Sequence, residues 1–369
     1  MEASERKEPG VRSTPGSGQE PRAKRLIMLD FAGTLSLQTV IFGRKERLER
    51  ALQSSGLDLL GFGEPSRFWE ELVFPTWEEG ALTTKGYAGV LTQRIQELTF
   101  QAPLSQRRTK PLKVRSLRIT RIRKRVKPIQ GIRELVGNKP GASQQCGFIG
   151  EVAHRFVQLY YRHSRIDPGW KPFFQDAQDT ILIATDHYAE CTPFLCRFLY
   201  HWGIRCRPIQ RLLNGKEDAE ESGEAGPETG RASLPVSTRC LSSAGARSPR
   251  AGTTLPVYIA NSAYLGGWKK DPSFWEGVDR ELRLRDFQHI FVIDDFGYNE
   301  HRGDPYAESI RVEKRRDSLL RCLTSLGATQ VEVFPFYLES SVTDAPLVHL
   351  YKEYRKLVDK AILFFHGEC

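Results

Sequence analysis

Five short apolar runs, three of them ending abruptly in oxygen-bearing side chains, leave this chain few folds to choose from. Leu26-Ile-Met-Leu29 stops at Asp30, Thr180-Ile-Leu-Ile-Ala184 at Thr185 and Asp186, and His289-Ile-Phe-Val-Ile293 at Asp294 and Asp295. Pro256-Val-Tyr-Ile-Ala260 and Val331-Glu-Val-Phe334 are two further runs. Unbroken apolar runs of about four to six residues fit strands covered on both faces. Helical segments fill the gaps, such as Thr192 to Trp202 and Asp317 to Leu326. Strands separated by helices predict a doubly wound α/β fold with a parallel sheet. Open α/β sheets hold ligands at the carboxyl ends of their strands, so the polar residues there are the first candidates for chemistry.

The pattern changes between residues 39 and 161. Tyr87, Val90, Leu91, Ile95 and Leu98 form an amphipathic stripe after Thr83, an expected N-cap, and Ile149, Val152, Phe156 and Leu159 form another. A helical block inserted after the first strand predicts a cap over the sheet's carboxyl edge. The core is then expected from 25–38 and 162–340, with a C-terminal helical segment over 341–369. Within the cap, Gln106 to Lys127 carries eleven Lys or Arg in 22 residues and no acid. It reads as a contact for nucleic acid or an acidic surface, or as a solvated insertion; the lack of interleaved aromatic side chains favours the second. Asn214 to Thr254 has no core-forming pattern and is expected to be a flexible linker (214–254) inside the core.

Composition limits the function classes. The 369 residues are 40% hydrophobic, enough to exclude a wholly disordered chain, and carry a net charge of +9 that favours anionic partners. No apolar run reaches the roughly 18 residues of a membrane span. The opening 1–24 lacks an apolar centre, so it reads as a disordered tail rather than a secretory signal. Seven scattered cysteines with no CxxC pair fit a reduced, cytoplasmic protein. His187, Cys191, Cys196, His201 and Cys206 resemble a zinc set in composition alone. On one helix, positions 187 and 201 would lie about 21 Å apart, too far to share an ion.

The strand ends assemble a coherent chemistry. Asp30-Phe-Ala-Gly-Thr-Leu35 puts a carboxylate before a glycine turn, and Thr185 adds a hydroxyl. Gly266-Gly-Trp-Lys269-Lys270-Asp-Pro-Ser-Phe-Trp275 adds a cation ahead of a Pro-started helix. Asp294 and Asp295 supply adjacent acids. A nucleophilic carboxylate, a hydroxyl, a lysine and a hard-cation site suit phosphoryl transfer.

In order and spacing these four segments resemble the motifs of the haloacid dehalogenase-like superfamily, over roughly Leu26 to Phe334 apart from the two charged insertions. Asp30-Phe-Ala-Gly-Thr-Leu35 resembles its Asp-x-Asp-Gly-Thr-Leu, and Thr185 its second motif. Lys269-Lys-Asp-Pro-Ser-Phe-Trp275 resembles its third motif and Val292-Ile-Asp-Asp295 its fourth. The resemblance implies a phosphohydrolase acting on a small phosphorylated metabolite. Asp30 would be the nucleophile, Thr185 a hydrogen-bond donor to the transferring group and Lys269 the charge-balancing cation, with Lys270 as its alternative. Mg2+ would be held by Asp30, the backbone carbonyl of Ala32 and Asp294, with Asp295 either a further ligand or a helix cap.

Position 32 departs from the pattern, since family phosphatases carry an acid/base Asp there. Three readings follow: a substrate whose leaving group needs no proton, a different acid, or a phosphate-binding relic. The Asp-x-Ala-Gly-Thr form also resembles phosphonoacetaldehyde hydrolase, in which case Lys85 would be the Schiff-base lysine, a role that needs a desolvated pocket. A non-catalytic binding protein using the basic arm is the rival from another class. Arg44, Arg67, Trp69, Trp77 and Lys85 are the cap residues from which substrate contacts could come.

Overall fold

A computed structural model describes residues 24–100, 142–211, 255–300 and 309–366. The expected basic insertion 106–127, the linker 214–254 and the tail before residue 24 lie outside the described residues. The described chain runs β1 (Arg25–Leu29), α1 (Leu37–Ile41), α2 (Lys45–Ser55), α3 (Pro65–Phe68), a π-helical turn (Trp69–Val73), α4 (Phe74–Leu82), α5 (Tyr87–Phe100) and α6 (Ala142–His163). It continues with α7 (Lys171–Asp176), β2 (Thr180–Thr185), α8 (Cys191–His201), β3 (Cys206–Ile209), β4 (Val257–Asn261), α9 (Ser262–Leu265) and α10 (Pro272–Leu282). Last come β5 (His289–Asp294), α11 (Ser309–Ser325), β6 (Val331–Pro335) and α12 (Leu347–His366).

The six strands form one all-parallel sheet in the order β3-β4-β2-β1-β5-β6. Each strand side chain alternates between two apolar cores, as the period of two requires. Ile27, Leu29, Ile181, Ile183, Phe291 and Ile293 enter one core; Leu26, Met28, Leu182, Ala184, Ile290 and Val292 enter the other. Burial on both faces explains why these runs read as continuous rather than alternating. The expected α/β class with a parallel sheet is therefore observed.

Helices α10 and α11 cover the second face through Phe274, Trp275, Val278, Val312, Leu319 and Leu323. The first face is covered by α8 and by α12, whose Leu350, Tyr354, Val358, Ala361 and Phe365 repeat at helical spacing. The same core extends without a break into α2, α5 and α6 through Leu48, Leu52, Leu91, Ile95, Ile149 and Val152. The connection leaving β1 thus goes to the first face, and α11, which follows β5, lies on the second. Neighbouring strands whose connections leave in opposite directions open a crevice at their carboxyl ends, and here that crevice falls between Asp30 and Asp294.

Two local expectations are corrected. Sequence reading finds no strand at Cys206–Ile209 because Arg207 and Pro208 interrupt the apolar run. β3 is an edge strand, where a proline's missing N–H is tolerated and one side is left to solvent. Thr83 is not the cap of α5: it ends α4, and its Oγ1 accepts from the Lys85 N–H. The first N–H groups of α5, from Tyr87 and Ala88, donate instead to the carboxylate of Glu190 at 3.0 and 3.1 Å. That negative charge satisfies the helix dipole from another element, and so the cap is invisible to local sequence. Among the described residues no helix is long and apolar enough to cross a membrane.

Candidate active site at the strand ends

The loop after β1 is built to hold Asp30 still. Its N–H continues the ladder by donating to the Ile293 carbonyl at 3.0 Å, and its carbonyl accepts from the Leu35 N–H at 3.3 Å. Gly33 turns the chain at φ +74, and a Cβ there would lie 2.3 Å from Asp295 Oδ2. Asn299 braces the turn from outside: its Nδ2 donates to the carbonyls of Gly33 (3.1 Å) and Phe336 (2.7 Å). The Tyr354 hydroxyl of α12 donates to the Thr34 carbonyl at 2.6 Å. Gly33→Ala combines left-handed strain with a clash against a buried carboxylate. It should cost about 2–4 kcal/mol of stability, read as a lowered urea midpoint at unchanged slope.

Three carboxylates and one ammonium meet in this crevice. Lys269 Nζ donates to Asp30 Oδ1 at 2.6 Å and to Asp294 Oδ2 at 2.8 Å. Asp30, Asp294 and Asp295 each offer an oxygen within 4.8 Å of the others, and all three are buried. Burial pushes the Asp30 carboxyl well above the ordinary range; Lys269 opposes this, while Asp294 and Asp295 add to it. Asp295 is pushed up to about 7 by burial and by Asp294, against hydrogen bonds from the N–H groups of Gly297 and Asn299. Those two bonds close the turn Phe296–Asn299, with no helix directly following Asp295 among the described residues, so the expected helix cap is a turn cap and the ligand role stays open beside it. An all-oxygen set with more negative than positive groups is the donor chemistry of a hard divalent cation such as Mg2+.

Lys269 is itself held in place. Its N–H donates to Asp186 Oδ1 at 2.8 Å, and its carbonyl accepts from Trp275 Nε1 at 2.5 Å at the start of α10. Lys270 also lines the crevice but is exposed, with its ammonium 5.9 Å from the ring centre of Trp268, so Lys269 is the lysine that pairs with the acids. Thr185 closes β2, buried and in register with Asn261.

Beside the crevice, a cavity of about 180 Å3 lies between the helical block and the sheet. Ala32, Asp186 and His187 bring the strand ends to its wall, and Trp69, Trp77 and Phe156 line it from the helical block. Arg44 is absent from the lining because it is spent on the Val342 and Ala345 carbonyls, both at 2.6 Å. Arg67 is absent too, pairing with Glu71 at 2.9 Å. Lys85 is exposed on the turn between α4 and α5. It therefore lacks the desolvated setting that a Schiff-base lysine needs, which corrects the phosphonatase-like expectation.

His187 sits in the cavity wall in a role sequence did not foresee. The N–H of Tyr188 donates to its Nδ1 at 2.8 Å, and the hydroxyls of Tyr161 and Tyr160 lie 3.1 Å from Nδ1 and 2.9 Å from Nε2. Burial lowers its pKa to about 3, so it is neutral at physiological pH. Among the described residues only the three aspartates form a metal-competent group, and His187 is not part of it. Because the folded pKa lies below the unfolded value of about 6.5, the unfolded chain takes up the proton first as pH falls. This contribution is full above pH 6.5 and is lost toward pH 3. In His187→Phe the stability deficit relative to wild type should therefore shrink by about 3 kcal/mol between pH 7.5 and pH 4, measured by urea unfolding.

The crevice thus unites four of the sequence candidates, Asp30, Lys269, Asp294 and Asp295, with Ala32 on the adjoining wall. Asp186, Asn299, Tyr354 and His187 were missed as site-builders. Asp186 carried the only local signal, a second acid after a strand-ending threonine. No protein-family model, curated protein or solved structure matches this chain.

Proposed function

We propose that this chain is a Mg2+-dependent phosphohydrolase of the haloacid dehalogenase-like type, acting on a small phosphorylated metabolite. One observation carries the reading: a single buried ammonium bridges Asp30 and Asp294 at 2.6 and 2.8 Å, at the point where the sheet's connections diverge. Asp30 attacks phosphorus through a carboxylate oxygen, the bond to the leaving oxygen breaks, and water then cleaves the aspartyl-phosphate to phosphate and the original carboxylate. Lys269 opposes the rise in the Asp30 pKa that burial causes and offsets charge on the transferring group. Thr185 offers a hydroxyl to that group. Asp30, Asp294 and Asp295, with the Ala32 carbonyl, would hold Mg2+, which when bound supplies Lewis-acid stabilisation of phosphoryl oxygens.

Phosphate release from acetyl phosphate and p-nitrophenyl phosphate, with and without Mg2+, tests this reading. Both leaving groups depart without a proton, so both should turn over in wild type and neither after chelation. Installing the absent acid is a sharper check. Ala32→Asp places a carboxyl on a half-buried wall that has no lysine or arginine among the described residues, where burial favours its protonated form. Turnover of an alkyl phosphate should rise by about 10²–10⁴-fold, read as kcat/KM. Ala32 also supports a second reading, a phosphate-binding protein without turnover. Binding of beryllofluoride with no phosphate release from any substrate would favour it.

A further inference from the structure

We infer that the cavity beside Ala32 receives one uncharged aromatic ring, which makes the substrate the phosphate monoester of a small phenol. The phosphate half of this assignment rests on the phosphohydrolase reading; the ring half rests on the cavity alone.

Size is the first consideration. Apolar cavities of about 150 Å3 hold a benzene molecule, and this one measures about 180 Å3. A single ring with a small substituent fits; a nucleoside does not. Wall chemistry is the second. Trp69, Phe74 and Trp77 stand along the helical block at roughly one-turn spacing, where the π-helical turn Trp69–Val73 runs into α4. Trp69 and Phe74 are in ring contact at 5.8 Å, and Phe74 is 40% exposed, so the aromatic wall continues to a solvent-facing mouth. Val40, Leu48 and Val157 complete apolar patches between these rings.

Charge is the third consideration. Among the described residues no lysine or arginine lines the cavity. Its acids among the described residues are Asp186 and Glu300, which repel a second phosphate or a carboxylate; His187 is kept neutral by burial, and Tyr87, Tyr160 and Tyr188 are uncharged phenols. Most of the wall is aromatic or aliphatic, and a sugar hydroxyl set against those parts would be left unpaired at about 1–3 kcal/mol. Asp186 also lines the narrow crevice that holds Lys269 and Asp294, so cavity and charged site share a wall.

Ala32 makes the two halves consistent. It stands two residues after the proposed nucleophile and on the cavity wall, where the leaving group would lie. A phenol ionises near pH 10, so phenoxide departs without the proton an alkoxide requires. As Asp30 bonds to phosphorus, the electron pair of the breaking P–O bond stays on the phenoxide, which takes its proton from water. A second water returns phosphate and the free carboxylate.

Two measurements on the full chain separate the halves. Phenol is titrated into wild type and into Asp30→Asn, following the indole N–H signals of Trp69 and Trp77 by NMR. Phenyl phosphate, glycerol phosphate and glucose 6-phosphate are then compared by kcat/KM. Saturable shifts in both proteins, with phenyl phosphate preferred at least 100-fold, are expected. Ala81→Phe, or Val157→Phe if the first does not fold, fills the cavity and should weaken phenol binding at least tenfold. No phenol binding, with another phosphate ester hydrolysed, overturns the ring assignment and spares the phosphohydrolase. Phenol binding with no ester hydrolysed overturns the phosphohydrolase reading, and the substrate assignment with it.

Discussion

Lys269→Met should destabilise the protein by about 3–5 kcal/mol in chelator at pH 8, the cost of stranding buried charge without its partner. The wild-type ammonium makes two short bonds, to Asp30 and Asp294, whereas Lys270, which also lines the crevice, is exposed with its ammonium near the Trp268 ring. Methionine fills similar volume, so the loss is electrostatic rather than a cavity effect. The deficit should narrow at pH 5. With Lys269 gone, the carboxyls of Asp30 and Asp295, already pushed upward by burial, take up protons and end the repulsion. Mg2+ should restore part of the loss at pH 8, where fewer protons compete with it for the carboxylates. Urea midpoints at the two pH values, with and without Mg2+, check all three statements. An unchanged midpoint in chelator at pH 8 would remove Lys269 as the balancing charge.

The second large effect separates activity from stability. Asp30→Asn should abolish turnover of every phosphate substrate, by at least about 10⁴-fold, because an amide cannot form the acyl-phosphate. The same change should stabilise the metal-free protein by about 1–2 kcal/mol at pH 8, the usual sign when a strained active-site group is neutralised. The sign follows from the direction of its pKa. A folded-state carboxyl held above its unfolded value of 3.8 contributes most at low pH and loses that contribution as pH rises. The gain should therefore fade as pH is lowered toward 4. Lys269 keeps Asp294 as a partner in the variant, so no ammonium is stranded. Residual turnover within tenfold of wild type would rule out Asp30 as nucleophile.

How much of this was legible in sequence depends on the range of the forces involved. Strands β1, β2, β4 and β5 were readable because burial on both faces writes itself as uninterrupted apolar runs, and β6, a half-buried edge strand, by its alternating Val331-Glu-Val333 pattern. The acids at their ends were readable for the same reason, since a charge can stand only where the run leaves the core. β3 was not readable, because an edge strand tolerates Arg207 and Pro208. The choice between Lys269 and Lys270 turned on a one-residue rotation fixed by Trp275, six residues on, and by Asp186, 83 residues away. Asn299 and Tyr354 brace the Asp30 loop from 266 and 320 residues away, and no local pattern marks such partners. His187 suggested a metal ligand by type alone, and only its burial against Tyr160 and Tyr161 assigns it a structural role. The aromatic cavity was half-visible: Trp69 and Trp77 were candidates, while Arg44, Arg67 and Lys85 point elsewhere.

Covalent chemistry at Asp30 can be tested by trapping. Wild-type protein is mixed with acetyl phosphate and Mg2+, quenched in acid, and reduced with borohydride, which converts an aspartyl-phosphate to homoserine. Peptide mass spectrometry then reads position 30. Conversion at Asp30 that requires Mg2+, and none at Asp294 or Asp295, is the predicted result. Phosphate release with Asp30 unmodified under the same conditions would contradict the proposed mechanism.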